Sequence, residues 1–331
     1  MSAYYNVLEK QISPEVFAMS DESLGYHLPV LLDEVVSFLA PKKGDVFVDA
    51  TLGGGGHSEA LLKCGATVIG FDQDAEAIHF ASQRLGAYAG QFRAMQSNFQ
   101  HAERELKKLG ITQITGALID AGVSSKQLDT AERGFSFLRD GALDMRMATD
   151  GPVTAADLVN TADEYELLRI FREYGEEPSA RRVAMKIVEQ RAVTPFTRTL
   201  QLADFIASFL PKKSRIHPAT RCFQALRIAV NRELEVLAAG LEAFTSLLAP
   251  SGRLGVISFH SGEDRIVKTF MKERAAEWLD RPEWPAPRRN PLHIFRLLTS
   301  RPVIATDAEQ HHNPRSRSAK LRVAERLPYA S

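Results

Sequence analysis

Residues 46–62, VFVDATLGGGGHSEALL, place four consecutive glycines between an apolar stretch and an amphipathic stretch. Residues 46–50 (VFVDA) predict a short buried strand because β-branched and aromatic side chains favour strands, and residues 57–64 predict a helix. A glycine-rich turn between a strand and a helix lets backbone approach a ligand closely. The turn therefore predicts an α/β unit with a binding loop at the carboxyl end of its first strand.

The alternation of strand and helix patterns continues to residue 120 and then stops. Further strands are predicted at 67–71, 90–95 and 114–120, with helices at 74–85 and 99–109. From about residue 134 the pattern is helical, and a helix at 232–248 precedes strands at 253–259, 293–299 and 318–327. Short apolar strands separated by helices indicate a mostly parallel sheet with helices on both faces. We predict an N-terminal extension (1–22), an α/β domain built from 23–133 and 216–331, and an inserted helical domain (134–215).

Charge and cysteine content limit the class of protein. The chain has 41 basic and 41 acidic residues, which argues against a strongly electrostatic, sequence-blind nucleic-acid binder but leaves local basic surfaces possible. Its two cysteines, Cys64 and Cys222, provide neither a disulfide framework nor metal-ligand spacing. The N-terminus lacks the pattern of a signal peptide, and no apolar run has membrane-spanning length. These features predict a cytoplasmic protein with no metal site and no membrane partner.

Residues around the glycines discriminate between possible ligands. A phosphate-binding P-loop requires Lys-Ser/Thr after the last glycine, whereas His57 and Ser58 follow here; Ser58 also breaks the dinucleotide pattern G-x-G-x-x-G. Asp49 would repel a pyrophosphate by about 1–4 kcal/mol at 4 Å, but its carboxylate favours the cationic S-adenosylmethionine. Asp72 ends the second strand, where a carboxylate can accept hydrogen bonds from ribose hydroxyls. The sequence therefore favours S-adenosylmethionine as the ligand.

Seven motifs between about residues 24 and 328 resemble, in order, those of the bacterial 16S ribosomal RNA (cytosine-N4) methyltransferase family. They are DATLGGGGHS, LIDAGVSSKQLD, RGFSF, LDMRM, HPATRCFQALRIAVNREL, VISFHSGEDRIVK and NPRSRSAKLRVAER. The resemblance implies a class I methyltransferase (Rossmann-like) fold with a helical insert. It also implies methylation of the exocyclic N4 of a cytosine in 16S ribosomal RNA, with S-adenosylmethionine as cofactor and the small ribosomal subunit as partner. Whether the protein forms a homodimer is left open.

The resemblance also assigns cofactor contacts by motif. They fall on Gly55, Gly56, His57, Asp72, Phe99, Asp120 and Gln127, in addition to Asp49 from the charge argument. Phe99 follows the third strand and could pack against the adenine or belong to the ordinary core. The chain departs from the family at Ala121 and Gly262, where leucine is usual, and at Cys222, where threonine is usual.

The implied reaction needs help from the protein because the lone pair of cytosine N4 is delocalised into the ring. The nitrogen must be aligned with the methyl group, and an acceptor must take an amine hydrogen. Asp120 is the first candidate for the acceptor, although it could instead only hold the cofactor. His260 is the second candidate, with a structural role as the alternative. Methylation at carbon 5 would need a thiolate, and Cys222 lies in an amphipathic pattern typical of a buried core residue.

Two basic segments, within 211–232 and 311–326, provide candidate RNA contacts. The predicted phosphate-binding residues are Arg215, Arg221, Arg227, Arg315, Arg317 and Lys320, with solvated ion pairs as the alternative role. A target base must leave its stack to reach the methyl donor, so single-stranded or splayed RNA is expected. The insert is predicted to cap the site. The competing functions are a non-catalytic RNA-binding or ribosome-assembly protein and a nicotinamide-dependent dehydrogenase.

Overall fold

The computed structural model of the chain describes residues 28–210 and 217–328. The predicted extension at 1–22 lies outside the described residues, as do Arg215 and the predicted end of the insert at 215/216. In the part of the chain that the structure describes, no helix combines the length and apolar character needed to cross a bilayer.

Ten strands and thirteen α-helices are assigned within the described residues. The strands are β1 Val46–Asp49, β2 Thr67–Asp72, β3 Phe92–Gln96, β4 Ile114–Asp120, β5 Leu248–Ser258, β6 Trp278–Leu279, β7 Arg288–Arg289, β8 Phe295–Leu297, β9 Val303–Ile304 and β10 Lys320–Arg326. The helices are α1 Leu32–Leu39, α2 Gly56–Lys63, α3 Ala75–Arg84, α4 Ala102–Lys108, α5 Ser125–Asp129, α6 Ala155–Thr161, α7 Glu164–Glu173, α8 Ala180–Arg191, α9 Thr199–Phe209, α10 Thr220–Asn231, α11 Glu233–Leu247, α12 Ser261–Ala275 and α13 Asp307–His312.

One large sheet organises the molecule. Its strand order is β3-β2-β1-β4-β5-β10-β8, with β9 pairing to β10. Strands β1 to β5 are parallel, whereas β10 runs antiparallel to β5 and β8. This arrangement confirms the predicted mostly parallel, Rossmann-like methyltransferase fold. The carboxyl ends of β1, β2, β4 and β5 consequently meet at one edge, which is where ligands bind in open α/β sheets.

Apolar side chains from the central strands fill a core on each face of the sheet. Val48 and Ile119 point to one face and pack with Phe244 of α11, whereas Phe47 and Leu118 point to the other. The alternation follows from the two-residue period of a strand. Burying each of these side chains stabilises the fold by about 1.5–3 kcal/mol.

The helices inserted between β4 and β5 have a core of their own. It contains Val159 of α6, Phe171 of α7, Ala184 of α8 and Ile206 of α9. Leu226 of α10 belongs to the same cluster, so this core extends beyond the predicted insert range of 134–215. Helix α10 then leads directly into α11, which returns to the sheet.

Candidate active site

A cavity lies at the carboxyl edge of the sheet. Loops after β1, β2, β3 and β4 supply most of its wall, and the insert, α11, the start of α12 and the region after α13 complete it. The predicted residues that line the cavity are Gly56, His57, Asp72, Phe99, Asp120, Gln127 and Arg315. Asp49, Gly55 and His260 are not among the lining residues. The topology therefore brings most of the predicted cofactor set together.

The glycine loop forms a tight turn beside the cavity. Gly53 and Gly55 have positive φ angles of 48° and 76°, which favour glycine. The amide of Gly55 donates to the carbonyl of Leu52 at 2.7 Å and closes the turn. A Cβ on Gly55 would lie 3.0 Å from the Leu85 side chain, whereas Gly53 and Gly54 border the cavity together with Gly56. Gly55 thus allows the loop to pack on α3, and its neighbours provide the backbone surface for a ligand.

Asp49 is buried behind this loop. Its Oδ2 accepts a 2.7 Å hydrogen bond from the Ser58 hydroxyl, and its Oδ1 accepts from the Thr51 amide at 3.3 Å. Burial raises the pKa of Asp49, while His57 and these hydrogen bonds act in the opposite direction. The carboxylate that was expected beside the donor therefore anchors the start of the glycine loop, and Ser58 is its partner.

Asp72 presents its carboxylate at the end of β2. Its Oδ2 accepts from the Gly53 amide and its Oδ1 from the Asp74 amide, both at 2.9 Å. Burial raises the pKa of Asp72 to about 6, with Asp74 and Asp49 adding to the increase. Each carboxylate oxygen keeps a second lone pair, so the fixed carboxylate can still accept hydrogen bonds from a pair of ligand hydroxyls.

Asp120 ends β4 with an unused acceptor. Its amide donates to the Thr51 hydroxyl at 2.8 Å, which fixes the backbone at the strand end. Its Oδ2 lies 3.7 Å from Nδ1 of His57, whose Nε2 is 2.9 Å from the carbonyl of Val30. The Oδ1 atom is buried without a hydrogen-bond partner. Burial raises the pKa of Asp120 to about 6 against the opposing effect of His57. A buried acceptor without a partner is costly unless a ligand uses it.

Gln127 and Phe99 form part of the cavity wall. Gln127 Nε2 donates to Asp74 at 3.1 Å, and its Oε1 accepts from the Ser124 amide at 3.0 Å. The ring of Phe99 lines the cavity and also stacks on Phe244, with centroids 6.4 Å apart. Phe99 therefore packs against the core and also borders the cavity, and its contact with the adenine stays a prediction.

His260 caps α12 and does not face the cavity. Its Nδ1 accepts from the Glu263 amide at 3.4 Å, so the neutral ring carries its proton on Nε2. That Nε2 also lies 3.1 Å from Oε1 of Glu263. Glu263, which lines the cavity, was missed from the sequence, although the three-residue spacing from His260 is that of a capping box.

A buried ionic network extends from Glu263 into the insert. The ligand atoms of Glu233, His260 and Glu263 lie within 4.8 Å of one another, which is compatible with holding a metal ion. However, both oxygens of Glu233 already accept hydrogen bonds from Arg227, at 2.8 and 2.9 Å. We therefore interpret this group as a hydrogen-bonded network that positions two carboxylates at the cavity wall.

Asn231 is another cavity residue that the sequence reasoning missed. Its Oδ1 accepts from the Met147 amide at 2.7 Å, and its Nδ2 donates to the Met145 carbonyl at 2.8 Å. Met145 has a positive φ of 64°, and Met147 lines the cavity. Asn231 thus holds a segment of the insert beside the cavity. No spacing rule links position 231 to 145, so only the fold reveals this contact.

The predicted RNA contacts have different environments. Arg315 lines the cavity and forms an ion pair with Asp129 at 3.0 Å. Arg317 is exposed, and Nζ of Lys320 lies 3.8 Å from the carboxylate of Asp264. Arg221 donates to the carbonyl of Glu176. Arg227 differs from the others, because its guanidinium faces inward onto Glu233. It is therefore assigned to the interior and not to the RNA surface.

The three departures from the family pattern fit their surroundings. Ala121 borders the cavity, where its small side chain leaves space. A Cβ on Gly262 would lie 3.1 Å from Nδ1 of His260, so glycine relieves crowding at this cap. Cys222 is fully buried in the insert core, as predicted, and burial raises the pKa of its thiol far above the usual range. Cys222 is therefore not poised to act as a thiolate nucleophile.

The sequence as a whole matches the model of the MraW methylase family over residues 25–327. The chain belongs to the MraW methylase family. Ribosomal RNA small subunit methyltransferase H of Geobacter sulfurreducens is 52% identical over 307 residues, covering 91% of this chain and 99% of that relative. The protein of the same name from Carboxydothermus hydrogenoformans is 46% identical, covering 92% of this chain and 99% of that relative.

Solved structures include a more distant likeness to an rRNA methylase from Streptococcus thermophilus. The two share 11% sequence identity with a TM-score of 0.41, over 89% of this chain and 93% of that chain. This likeness is too remote to bear on function. Membership of the MraW family nevertheless confirms the predicted family and enzyme class, an S-adenosylmethionine-dependent methyltransferase.

Proposed function

We propose that this MraW-family protein transfers a methyl group from S-adenosylmethionine to the exocyclic N4 of a cytosine in 16S ribosomal RNA, within the small ribosomal subunit. Relatives that share about half of its residues over nearly their full length carry the name ribosomal RNA small subunit methyltransferase H. The observation that carries the proposal is the unpartnered Oδ1 of Asp120 in the cavity. We place the reaction in the cytoplasm, where this RNA is found.

The cofactor site follows from the fixed groups around the cavity. Asp72 would accept hydrogen bonds from the ribose hydroxyls, and Phe99 would pack against the adenine. The backbone at Gly53, Gly54 and Gly56 would border the methionine part of the cofactor. His57 and Gln127 complete the wall, and Asp49 acts from behind the loop. When bound, S-adenosylmethionine supplies the electrophilic methyl group.

Asp120 has the role of hydrogen-bond acceptor for the amine of the target base. With the donor bound, transfer of its methyl group from sulfur to N4 would leave a neutral thioether and a nitrogen that carries one proton too many. The nitrogen must then lose a proton, and Asp120 Oδ1 can accept it. The pKa of about 6 makes this carboxyl a stronger base than an ordinary aspartate while it stays mostly ionised near neutral pH.

His260 is given a positioning role in this proposal. Its ring caps α12 and contacts Glu263, and Glu263 in turn lines the cavity. Arg315 at the cavity, with Arg317, Lys320 and Arg221 on the outer surface, provides cationic groups for the RNA backbone. Arg215 stays a predicted contact outside the described residues.

Nucleoside mass spectrometry after reaction with a deuterated methyl donor would test the proposal. Small subunits from cells lacking the enzyme should gain N4-methylcytidine with the wild-type protein. At saturating S-adenosylmethionine the Asp120→Asn variant should methylate roughly 10²–10⁴-fold more slowly, the range for loss of a general base. Asp204→Asn, the same chemical change at an exposed position of α9, serves as the control. Label on carbon 5 or on ribose, or a fully active Asp120→Asn, would contradict the proposal.

A further inference from the structure

A second concave surface lies beside α12 and β10, away from the cofactor cavity. It encloses about 460 Å³ and is lined by four cationic side chains, Lys268, Lys272, Arg301 and Arg322. None of the described residues that line it is acidic. Such a local excess of positive charge is unexpected in a chain whose formal charge is zero. We refer to this surface as the α12–β10 groove.

Among the described residues, Asp264 is the carboxylate that forms an ion pair with a cation of the groove. Asp264 accepts from Nε of Arg322 at 2.7 Å and from its second guanidinium nitrogen at 3.3 Å, and Lys320 Nζ lies 3.8 Å from the same carboxylate. Lys268, one turn further along α12, adds a third positive charge near Asp264. Within 28–210 and 217–328, the ion pairs of the structure do not include Lys272 or Arg301. The groove therefore keeps a net positive charge.

The groove lies a short way along β10 from the catalytic edge of the sheet. Lys320 pairs in register with Ser258, the last residue of β5, and Arg322 pairs with Val256 two residues deeper. Helix α12 starts three residues after Ser258, and Asp264, Lys268 and Lys272 follow one another at four-residue spacing along one helix face. The cationic groups therefore lead away from the cavity along both elements.

We propose that the α12–β10 groove binds the phosphate backbone of the RNA substrate on one side of the target base. This inference rests on the proposed function, because it takes RNA as the substrate. Its charge matches a polyanion, and its position lets a strand whose base occupies the cavity continue across the cationic side chains. Leu297, which is partly exposed in the groove, offers an apolar surface for a ribose or base. Phosphate contacts of this kind fix position without reading sequence.

The test replaces three exposed groove cations together, as Lys268→Gln, Lys272→Gln and Arg301→Gln. Fluorescence anisotropy should show RNA affinity reduced by roughly 10- to 100-fold at moderate salt. The slope of log affinity against log salt should become shallower by about two, as expected for loss of three single-strand phosphate contacts. KM for RNA should rise while kcat at saturating RNA and the affinity for S-adenosylmethionine stay unchanged. The loss should be equal for substrate RNA and for an unrelated RNA of the same length.

The matched control removes three exposed cations from α4, as Arg104→Gln, Lys107→Gln and Lys108→Gln. An equal loss in this control, or an unchanged salt slope in the groove variant, would overturn the inference. A failure of the proposed function gives a different result. In that case the wild-type protein forms no N4-methylcytidine, yet RNA binding still weakens in the groove variant and not in the control.

Discussion

Binding of the methyl donor should depend on pH through two of the acids that line the cavity, Asp72 and Asp120. Burial raises the pKa of both Asp72 and Asp120 to about 6 in the protein without ligand. S-adenosylmethionine brings a sulfonium and an ammonium group and offers ribose hydroxyls as hydrogen-bond donors, all of which favour ionised carboxylates. The donor should therefore bind the ionised form best, lower both pKa values and release protons on binding below about pH 7.

The size of the effect follows from proton linkage. At pH 5 an acid with a pKa of about 6 is protonated roughly ten times out of eleven, whereas at pH 7.5 it is almost fully ionised. If the complex keeps the acid ionised, binding at pH 5 must first remove its proton. The cost of removing that proton reduces the affinity for the donor by about tenfold, or about 1.4 kcal/mol. Two such acids together give a reduction of about 100-fold between pH 7.5 and pH 5.

Isothermal titration calorimetry at the two pH values, each in two buffers of different ionisation enthalpy, measures both affinity and proton release. Asp120→Asn leaves Asp72 as the titrating group. The affinity of this variant for S-adenosylmethionine should therefore fall by only about tenfold between pH 7.5 and pH 5. The exposed control Asp204→Asn should retain the full wild-type dependence. An affinity that is equal at both pH values, with no proton release, would refute the assignment of these carboxylates to the donor site.

Three further substitutions test the physical interpretation of the site. Because burial raises the pKa of Asp120 from 3.8 to about 6, its ionisation destabilises the folded protein progressively between about pH 3.8 and 6, and fully above pH 6. Asp120→Asn should therefore stabilise the protein at pH 7.5 by about 1–3 kcal/mol, seen as a higher melting temperature, and the gain should vanish below pH 3.8. Gly240→Ala places a Cβ 2.5 Å from the ring of Phe99, which lines the cavity. Calorimetry should therefore show weaker cofactor binding, and thermal melts should show a loss of stability of about 1–3 kcal/mol. Gly90→Ala, where a Cβ would meet open space, should change neither quantity. Arg227→Ala leaves the buried Glu233 without its cationic partner and should lower the free energy of unfolding in denaturant by about 3–5 kcal/mol. Full recovery of stability on adding Glu233→Gln would support the pairing. An unchanged stability of the single variant would exclude it.

The sheet could be predicted from sequence because its strands are short apolar runs bounded by turn signals. The predicted strand at 114–120 coincides with β4, and those at 46–50 and 67–71 differ from β1 and β2 by one residue. The two-residue strands β6, β7 and β9 escaped prediction. Elements of two residues have no periodicity, and their pairing depends on the segments that tertiary structure brings beside them.

The site was predicted less completely, because strand ends fix position but not the direction of side chains. Asp72 and Asp120 line the cavity as expected, whereas Asp49, at the end of the strand between theirs, points behind the glycine loop to Ser58. Arg227 illustrates the same limit on a helix. Its partner Glu233 is six residues away, beyond a left-handed residue at the α10–α11 junction, and no helical spacing rule covers that geometry.

Asp49 and Ser58 nevertheless explain why negative charge near the glycine loop correctly predicted a cationic ligand, S-adenosylmethionine, and not a pyrophosphate. The hydroxyl of Ser58 stands where the dinucleotide pattern has a glycine, and it donates to the buried Asp49 carboxylate. The Asp49 carboxylate raises the pKa of both Asp72 and Asp120, so its negative charge acts on the cavity although its side chain does not line it. Three carboxylates thus converge on one strand edge and repel one another there. A pyrophosphate would increase that repulsion, whereas a cationic methyl donor relieves it.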